Sequence, residues 1–187
     1  MKQVIVAITG ASGATYGVRL LKALKEAGVA VHLTITPAGE INLKLETGMT
    51  ADQLSGFAEH VYSSEDLTAP ISSGSFPIDG MVIVPCSMKT VAAVANGYSD
   101  NLITRAADVT LKERRTLILV PRETPLNQIH LKNMLTLARA GAIILPASPG
   151  FYHTPKKIEE LVDHVVGRIL DSLHIEHALY KRWTGLD

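Results

Sequence analysis

The chain has 187 residues, 47% of them hydrophobic, which suits one domain with a full core and no need of disulfides. Lys and Arg number 18 and so do Asp and Glu; the net charge is therefore zero, which excludes nucleic-acid binding through bulk positive charge and leaves little repulsion against self-association. The single cysteine, Cys86, excludes an intrachain disulfide and a cysteine zinc site; the first apolar run is broken at Gly10, too soon for a signal peptide, and no stretch approaches the ~20 apolar residues of a membrane span. A cytoplasmic chain is expected, with no membrane and no nucleic-acid partner.

Val4 to Ile8 is a short, β-branched apolar run and reads as a buried strand. Gly10 to Gly13 turns the chain. Val18, Leu20, Leu21, Leu24 and Ala27 then follow helical spacing, and Gly28 closes that helix. Val29 to Thr36 alternates as a second strand ended by Pro37. Helices are predicted over 40–46 and, shorter, 51–58. The stretch 63–79 is the least regular, with Pro70, Gly74, Pro77 and the turn cluster Ser72-Ser73-Gly74-Ser75. A buried strand over 80–84 ends at Pro85-Cys86-Ser87, and helices follow over 89–95 and 101–115. A strand over 116–120 ends at Pro121-Arg122-Glu123. Next come a helix over 128–140 and a strand over 142–145 ending at Pro146. Thr154-Pro155 reads as an N-cap with a first-turn proline, opening a helix to about Leu173. The tail 174–187 carries the only tryptophan, Trp183.

Strands alternating with helices imply an α/β fold, Rossmann-like or flavodoxin-like, with three layers around a mostly parallel sheet, as one domain over 1–187. In such folds ligands bind beyond the carboxyl ends of the strands, at the point where the strand order reverses. Polar residues just after strands therefore carry most weight.

Gly10-Ala11-Ser12-Gly13-Ala14 follows a strand and opens a helix, where free N–H groups and the positive dipole end suit a phosphate. Its spacing is neither the dinucleotide G-x-G-x-x-G nor a Walker loop. The plain alternative is a tight turn capped by Ser12. Pro85-Cys86-Ser87-Met88-Lys89-Thr90 repeats the arrangement with two hydroxyls and a lysine, giving either a second anion or ring-edge site or a simple capped helix. Cys86 reads as a core thiol, because no histidine is placed by local spacing to activate it.

Arg105, Asp108 and Lys112 share one helix face, while Arg114 and Arg115 read as a solvated, salt-bridged face. Arg122-Glu123 stands where a central strand should end and fits anion binding with proton transfer. Tyr152 and His153 follow the last strand. Arg168 lies among Val165, Val166, Ile169 and Leu170, so a buried stem and a partner for its head are expected. The seven histidines have no metal-ligand spacing, and no metal is expected.

Taken together, these segments resemble the UbiX family of flavin prenyltransferases over nearly the whole chain. The resemblance rests on Gly10 to Ala14 with Tyr16-Gly17, on Ser72 to Ser75 and on Pro85 to Thr90. It continues through Thr104 to Asp108, Leu111-Lys112-Glu113, Arg122 to Leu126, Phe151-Tyr152, Arg168 and Arg182-Trp183. It implies that FMN in reduced form is a substrate, that dimethylallyl phosphate donates a prenyl group to N5 and C6 of that flavin, and that no metal is used. Prenylated FMN, the product, would supply a UbiD-type decarboxylase in quinone synthesis or in aromatic-acid breakdown. It further implies a homo-oligomer, a dodecamer, with each site shared between neighbouring subunits.

Carried over by position, the resemblance assigns FMN contacts to Gly10, Ala11, Ser12, Ser87, Met88, Lys89, Thr90 and Arg122. Thr36, where many relatives have serine, keeps the hydroxyl. The prenyl phosphate falls to Arg105, Lys112, Tyr152 and Arg168. Glu123 and Ser12 become candidates for handling protons, and Trp183 for facing the allylic cation. Departure of phosphate builds negative charge that fixed cations stabilise, while an aromatic face stabilises the positive allyl group by roughly 0.5–2 kcal/mol.

Two other functions share these features. One is an FMN-dependent decarboxylase related to the cysteine-decarboxylating flavoproteins, although the Pro-x-Met-Asn segment of that group is absent here. The other is a non-catalytic flavin-carrying subunit of an aromatic-acid decarboxylase, which would have no use for a second phosphate site.

Overall fold

The computed structural model describes residues 1–185, so Leu186 and Asp187, the last two of the predicted tail and domain, lie outside the described residues. Among the described residues the strands are β1 (Gln3–Ile8), β2 (Ala30–Ile35), β3 (His60–Ser63), β4 (Gly80–Cys86), β5 (Thr116–Pro121) and β6 (Ile143–Ile144). The helices are α1 (Ala14–Glu26), α2 (Pro37–Thr47), α3 (Ala51–Ser55), α4 (Met88–Ala95), α5 (Leu102–Lys112), α6 (Gln128–Arg139) and α7 (Ile158–Ser172). Every strand pair is parallel, in the order β3-β2-β1-β4-β5-β6. This is the Rossmann order, and its reversal point lies between β1 and β4.

The strands separate two apolar layers. Val4, Val6 and Ile8 of β1 face a cluster built with α1 and α7, including Leu20, Leu24, Val166 and Ile169. Ile5 and Ala7 face the other way, onto Val91 of α4, Leu102 and Ala106 of α5 and Leu137 of α6. Burial on both faces explains why β1, β4 and β5 are continuous apolar runs. Each fully buried Leu or Ile contributes about 1.5–3 kcal/mol of transfer free energy. Helix α1 lies so close to β4 that a Cβ at Gly17 would stand 2.8 Å from the Val84 carbonyl oxygen.

Several boundaries differ from expectation. Strand β3 falls mostly before the stretch predicted as irregular; it is short, largely exposed and pairs only with β2. Helix α5 ends at Lys112, and Arg114 takes a left-handed φ of 55°. Thr154 does not cap α7. Its φ is 49°, and the helix begins at Ile158, where Glu160 Oε2 accepts from the N–H groups of Lys156 at 2.5 Å and Lys157 at 3.4 Å.

Candidate functional site

The crevice beyond β1 and β4 is fastened by Thr9, 1% exposed. Its hydroxyl donates to the Pro85 carbonyl at 2.9 Å and accepts from the Ser87 N–H at 2.8 Å. The two loops singled out in the sequence, after β1 and after β4, are therefore joined side by side.

Between them and α2 lies a cavity of about 470 Å³, lined by Thr9, Gly10, Thr36, Ser87, Lys89 and Thr90 among others. Helix amino ends converge on it. Thr36 caps α2 by accepting from Gly39 N–H at 3.1 Å. Ser87 caps α4, accepting from Thr90 N–H at 3.3 Å, with the two hydroxyls 3.0 Å apart. Asn101 caps α5 at the far rim. Hydroxyls, a lysine and helix amino ends meet at this space, chemistry that suits an anion, and the carboxylates of Glu65 and Asp100 also line it. The cavity is of ligand-binding size, within the usual ~300–1,000 Å³.

Other predicted residues border this centre differently. Gly10 packs tightly on α2, where a Cβ would lie 2.6 Å from Ala38 Cβ. Ala11 is buried, and Met88 packs against the α4–α6 layer. Ser12 is exposed and caps nothing; the α1 cap is Gly13, at a φ of 108° that favours glycine. Arg122 follows β5 with its Nε buried and without a partner, a donor that a ligand oxygen or nitrogen would satisfy. Glu123 is exposed, and its Oε1 accepts from Thr124 N–H at 3.1 Å.

The amino end of α1 corrects the phosphate expectation for the first loop. Its free N–H groups, on Gly13 and Ala14, donate to Glu46 Oε2 at 2.8 and 2.7 Å. A carboxylate from α2 thus takes the N–H groups expected to face a phosphate. Sequence reasoning missed Glu46. Its only local signal is an acidic residue near the carboxyl end of α2, where the helix dipole disfavours one.

The basic residues fall into two separated groups. Arg105 donates through Nε to the Ser72 carbonyl at 3.1 Å and pairs with Asp108 at 3.2 Å, and Lys112 pairs with Glu113. Arg115 braces the same turn, donating to Gly74 and Phe76 carbonyls at 2.8 Å, rather than lying on a solvated face. These residues belong to α5 or follow it. On the opposite face of the sheet, Arg168 on α7 pairs with Asp171 at 3.3 Å. Its side chain is 56% exposed, so the expected burial of its stem is not found.

Tyr152, His153 and Trp183 line a smaller cavity next to α7. Gly150 N–H donates to His164 Nδ1 at 3.2 Å, so Nε2 carries the proton and faces the Tyr152 hydroxyl at 3.2 Å. Burial first, and then the neighbouring His153 and Arg168, hold His164 below the usual histidine pKa. Cys86 is buried, as expected, and burial pushes its thiol pKa up. No helix among the described residues is long and apolar enough to cross a membrane.

A parallel doubly wound sheet, with hydroxyl-capped helices at its reversal point and an orphaned arginine after the next strand, is the frame of a nucleotide-phosphate-binding α/β protein. The flavoprotein family model matches residues 1–170. The flavin prenyltransferase UbiX of Methanothermobacter thermautotrophicus is 53% identical over 187 residues, covering 100% of this chain and 98% of that protein. The crystal structure of AnUbiX (PadA1) in complex with FMN and dimethylallyl pyrophosphate superposes with a TM-score of 0.98, at 47% identity, over 100% of this chain and 99% of that one. A dodecameric FMN-dependent UbiX-like decarboxylase from Escherichia coli O157:H7 gives 0.95, at 48% identity, over 98% and 100%. The chain belongs to the UbiX family of flavin prenyltransferases, within the flavoproteins.

Proposed function

We propose that this chain is a metal-independent flavin prenyltransferase. It joins the dimethylallyl group of dimethylallyl phosphate to N5 and C6 of reduced FMN, giving the prenylated FMN used by UbiD-type decarboxylases. The observation that carries the reading is the full-length match to a flavin prenyltransferase, with the hydroxyl-lined cavity at the sheet's reversal point. The chain acts as one domain over 1–187, in the cytoplasm.

The cavity fits FMN in size and chemistry. Thr36, Ser87 and Thr90 would offer hydroxyls and Lys89 a charge to the flavin phosphate, while Gly10, Ala11, Ser12 and Met88 would border the ring system. Arg122, whose buried Nε has no partner among the described residues, would donate to the flavin. When bound and reduced, FMN supplies the electron-rich N5 and C6 positions. Arg105, Lys112, Tyr152 and Arg168 hold the prenyl phosphate and stabilise the charge left on it as the C–O bond breaks. Four such groups do the work that a magnesium ion does elsewhere. Trp183 faces the allyl group. Glu123 and Ser12 handle protons near the reacting edge.

One chain alone does not gather these groups. Arg105 and Lys112 lie on the α5 face of the sheet and Arg168 on the α7 face. Lys112 ends α5 next to the start of β5, and Arg168 is in the last turns of α7, whose end meets Lys2 before β1. Arg168 is ten residues beyond the start of α7, roughly 15 Å along the helix axis. Lys112 thus lies at the strand-start edge of the sheet, while Arg168 borders β6 and the loop behind it on the other face. A site holding all four requires neighbouring copies, which supports a homo-oligomer; the dodecameric relative suggests its size.

Anaerobic incubation of the protein with reduced FMN and dimethylallyl phosphate tests the reading by mass spectrometry. A flavin heavier by one C5 unit is expected. Unchanged FMN overturns it; release of CO2 from an acid substrate by the protein alone would favour the decarboxylase. Co-purification with a large partner and no turnover would favour the carrier subunit.

A further inference from the structure

A carboxylate has two oxygens and about four lone-pair positions, and Asp171 uses all of them. Its Oδ1 accepts from Arg182 Nη2 at 2.7 Å and His177 Nε2 at 3.1 Å. Its Oδ2 accepts from the Tyr180 hydroxyl at 2.6 Å and Arg168 Nη1 at 3.3 Å. Leu179 N–H donates to His177 Nδ1 at 3.2 Å, which assigns the Nε2 side as the donor to Asp171. Arg168 belongs to α7; the other donors belong to the tail behind it.

The tail is laid down beside Arg168. Gly167 leaves the room for it: a Cβ there would stand 2.5 Å from Tyr180 Cδ1. Beyond Arg182 the chain carries Trp183 edge-on to Tyr152, with ring centroids 5.9 Å apart at 76°. The residues assigned to the prenyl phosphate and to the allyl group are thus joined through one carboxylate.

We propose that Asp171 is a positioning residue for prenyl transfer, fixing Arg168 and the Trp183-bearing tail in one arrangement so that phosphate and allyl group are received together. The proposal rests on the reading of Arg168 and Trp183 as substrate-facing groups. Arg168 has about five N–H donors; it gives one to Asp171, has the Tyr180 hydroxyl beside it, and keeps others on a head that is more than half exposed. Burial opposes ionisation of Asp171, but the hydrogen bonds from Arg182, Tyr180 and His177 overcome it and hold its pKa at about 2. The carboxylate stays charged at neutral pH, so the arrangement is permanent rather than switched.

The test uses the full-length, FMN-loaded protein with dimethylallyl phosphate as the probe. Asp171→Asn should keep its FMN, because the cavity of Thr36, Ser87 and Thr90 is elsewhere. Its KM for dimethylallyl phosphate should rise about tenfold, and acrylamide quenching of Trp183, the only tryptophan, should increase. Arg182→Met cuts the tail's ion pair but leaves Arg168 on Asp171. It should increase quenching and lower kcat while KM stays within about twofold. Wild-type KM and quenching in Asp171→Asn overturn the proposal. If that variant does not fold, Arg182→Met decides alone, and a rise in KM equal to the fall in kcat, or no change in either, overturns it. An unchanged KM in Arg168→Ala would instead overturn the phosphate assignment itself.

Discussion

The carboxylate of Glu46 sits on the amino end of α1, its Oε2 accepting the Ala14 N–H at 2.7 Å. The pairing neutralises a helix terminus that would otherwise collect an anion. Glu46→Ala should lower stability by about 0.5–2 kcal/mol and open that terminus to inorganic phosphate. Added phosphate should then raise Tm more in the variant than in the wild type. Equal responses of the two proteins would refute the role.

The split of the cations between α5 and α7 predicts complementation between defective chains. Arg105→Ala and Arg168→Ala should each lose most prenyl transfer when assembled alone. Co-assembled at equal amounts, they should regain about a quarter of the sites, those that take α5 from one variant and α7 from the other. Mixed oligomers as inactive as either parent would place all four groups within one chain.

Glu123 follows β5 beside Arg122, and apart from Thr124 N–H its carboxylate is uncommitted. Glu123→Gln should retain FMN yet slow formation of the C5 adduct by roughly a hundredfold or more, the range expected for loss of a general acid or base. Single-turnover mass spectrometry under anaerobic conditions measures this, and a wild-type rate would remove Glu123 from the mechanism.

Asp171 also predicts a signature in acid. Its pKa falls from 3.8 in the unfolded chain to about 2 in the folded one, against burial and through the hydrogen bonds of Arg182, Tyr180 and His177. A depressed carboxyl stabilises the fold above its unfolded pKa, and that contribution is lost as pH falls through the folded value. Tm should therefore drop more steeply between pH 3.8 and 2 in the wild type than in Asp171→Asn. Parallel curves would contradict the depressed value.

What the sequence revealed depends on how local each signal is. The runs at β1, β4 and β5 are continuous because both faces are buried, so the polar loops that follow them stand out in the sequence, while the strand order that sets the loops after β1 and β4 side by side does not. Strand β3 left no such run, since its residues are mostly exposed and it borrows its partner, β2, from 28 residues away through pairs such as His32 with His60. Thr154-Pro155 has the chemistry of a cap, but the backbone turns left-handed there, and the helix waits for Ile158. Glu46 and Asp171 act mostly on groups beyond their own turn of helix. The first reaches residues 32 and 33 positions away; the second collects donors 6, 9 and 11 positions further along the chain. The basic residues were found, but their distribution over opposite faces of the sheet becomes visible only with the strand order.

Cys86 is wholly enclosed at the end of β4, against the α4–α6 layer. A protein that handles reduced flavin works beside the peroxide such flavins generate in air, and thiolates are the sulfur most readily attacked. Sealing its one thiol leaves this chain no cysteine at its surface to be scarred by its own reagent. The same enclosure makes that sulfur a clock, since a thiol-reactive dye can label it only as fast as the central sheet comes apart.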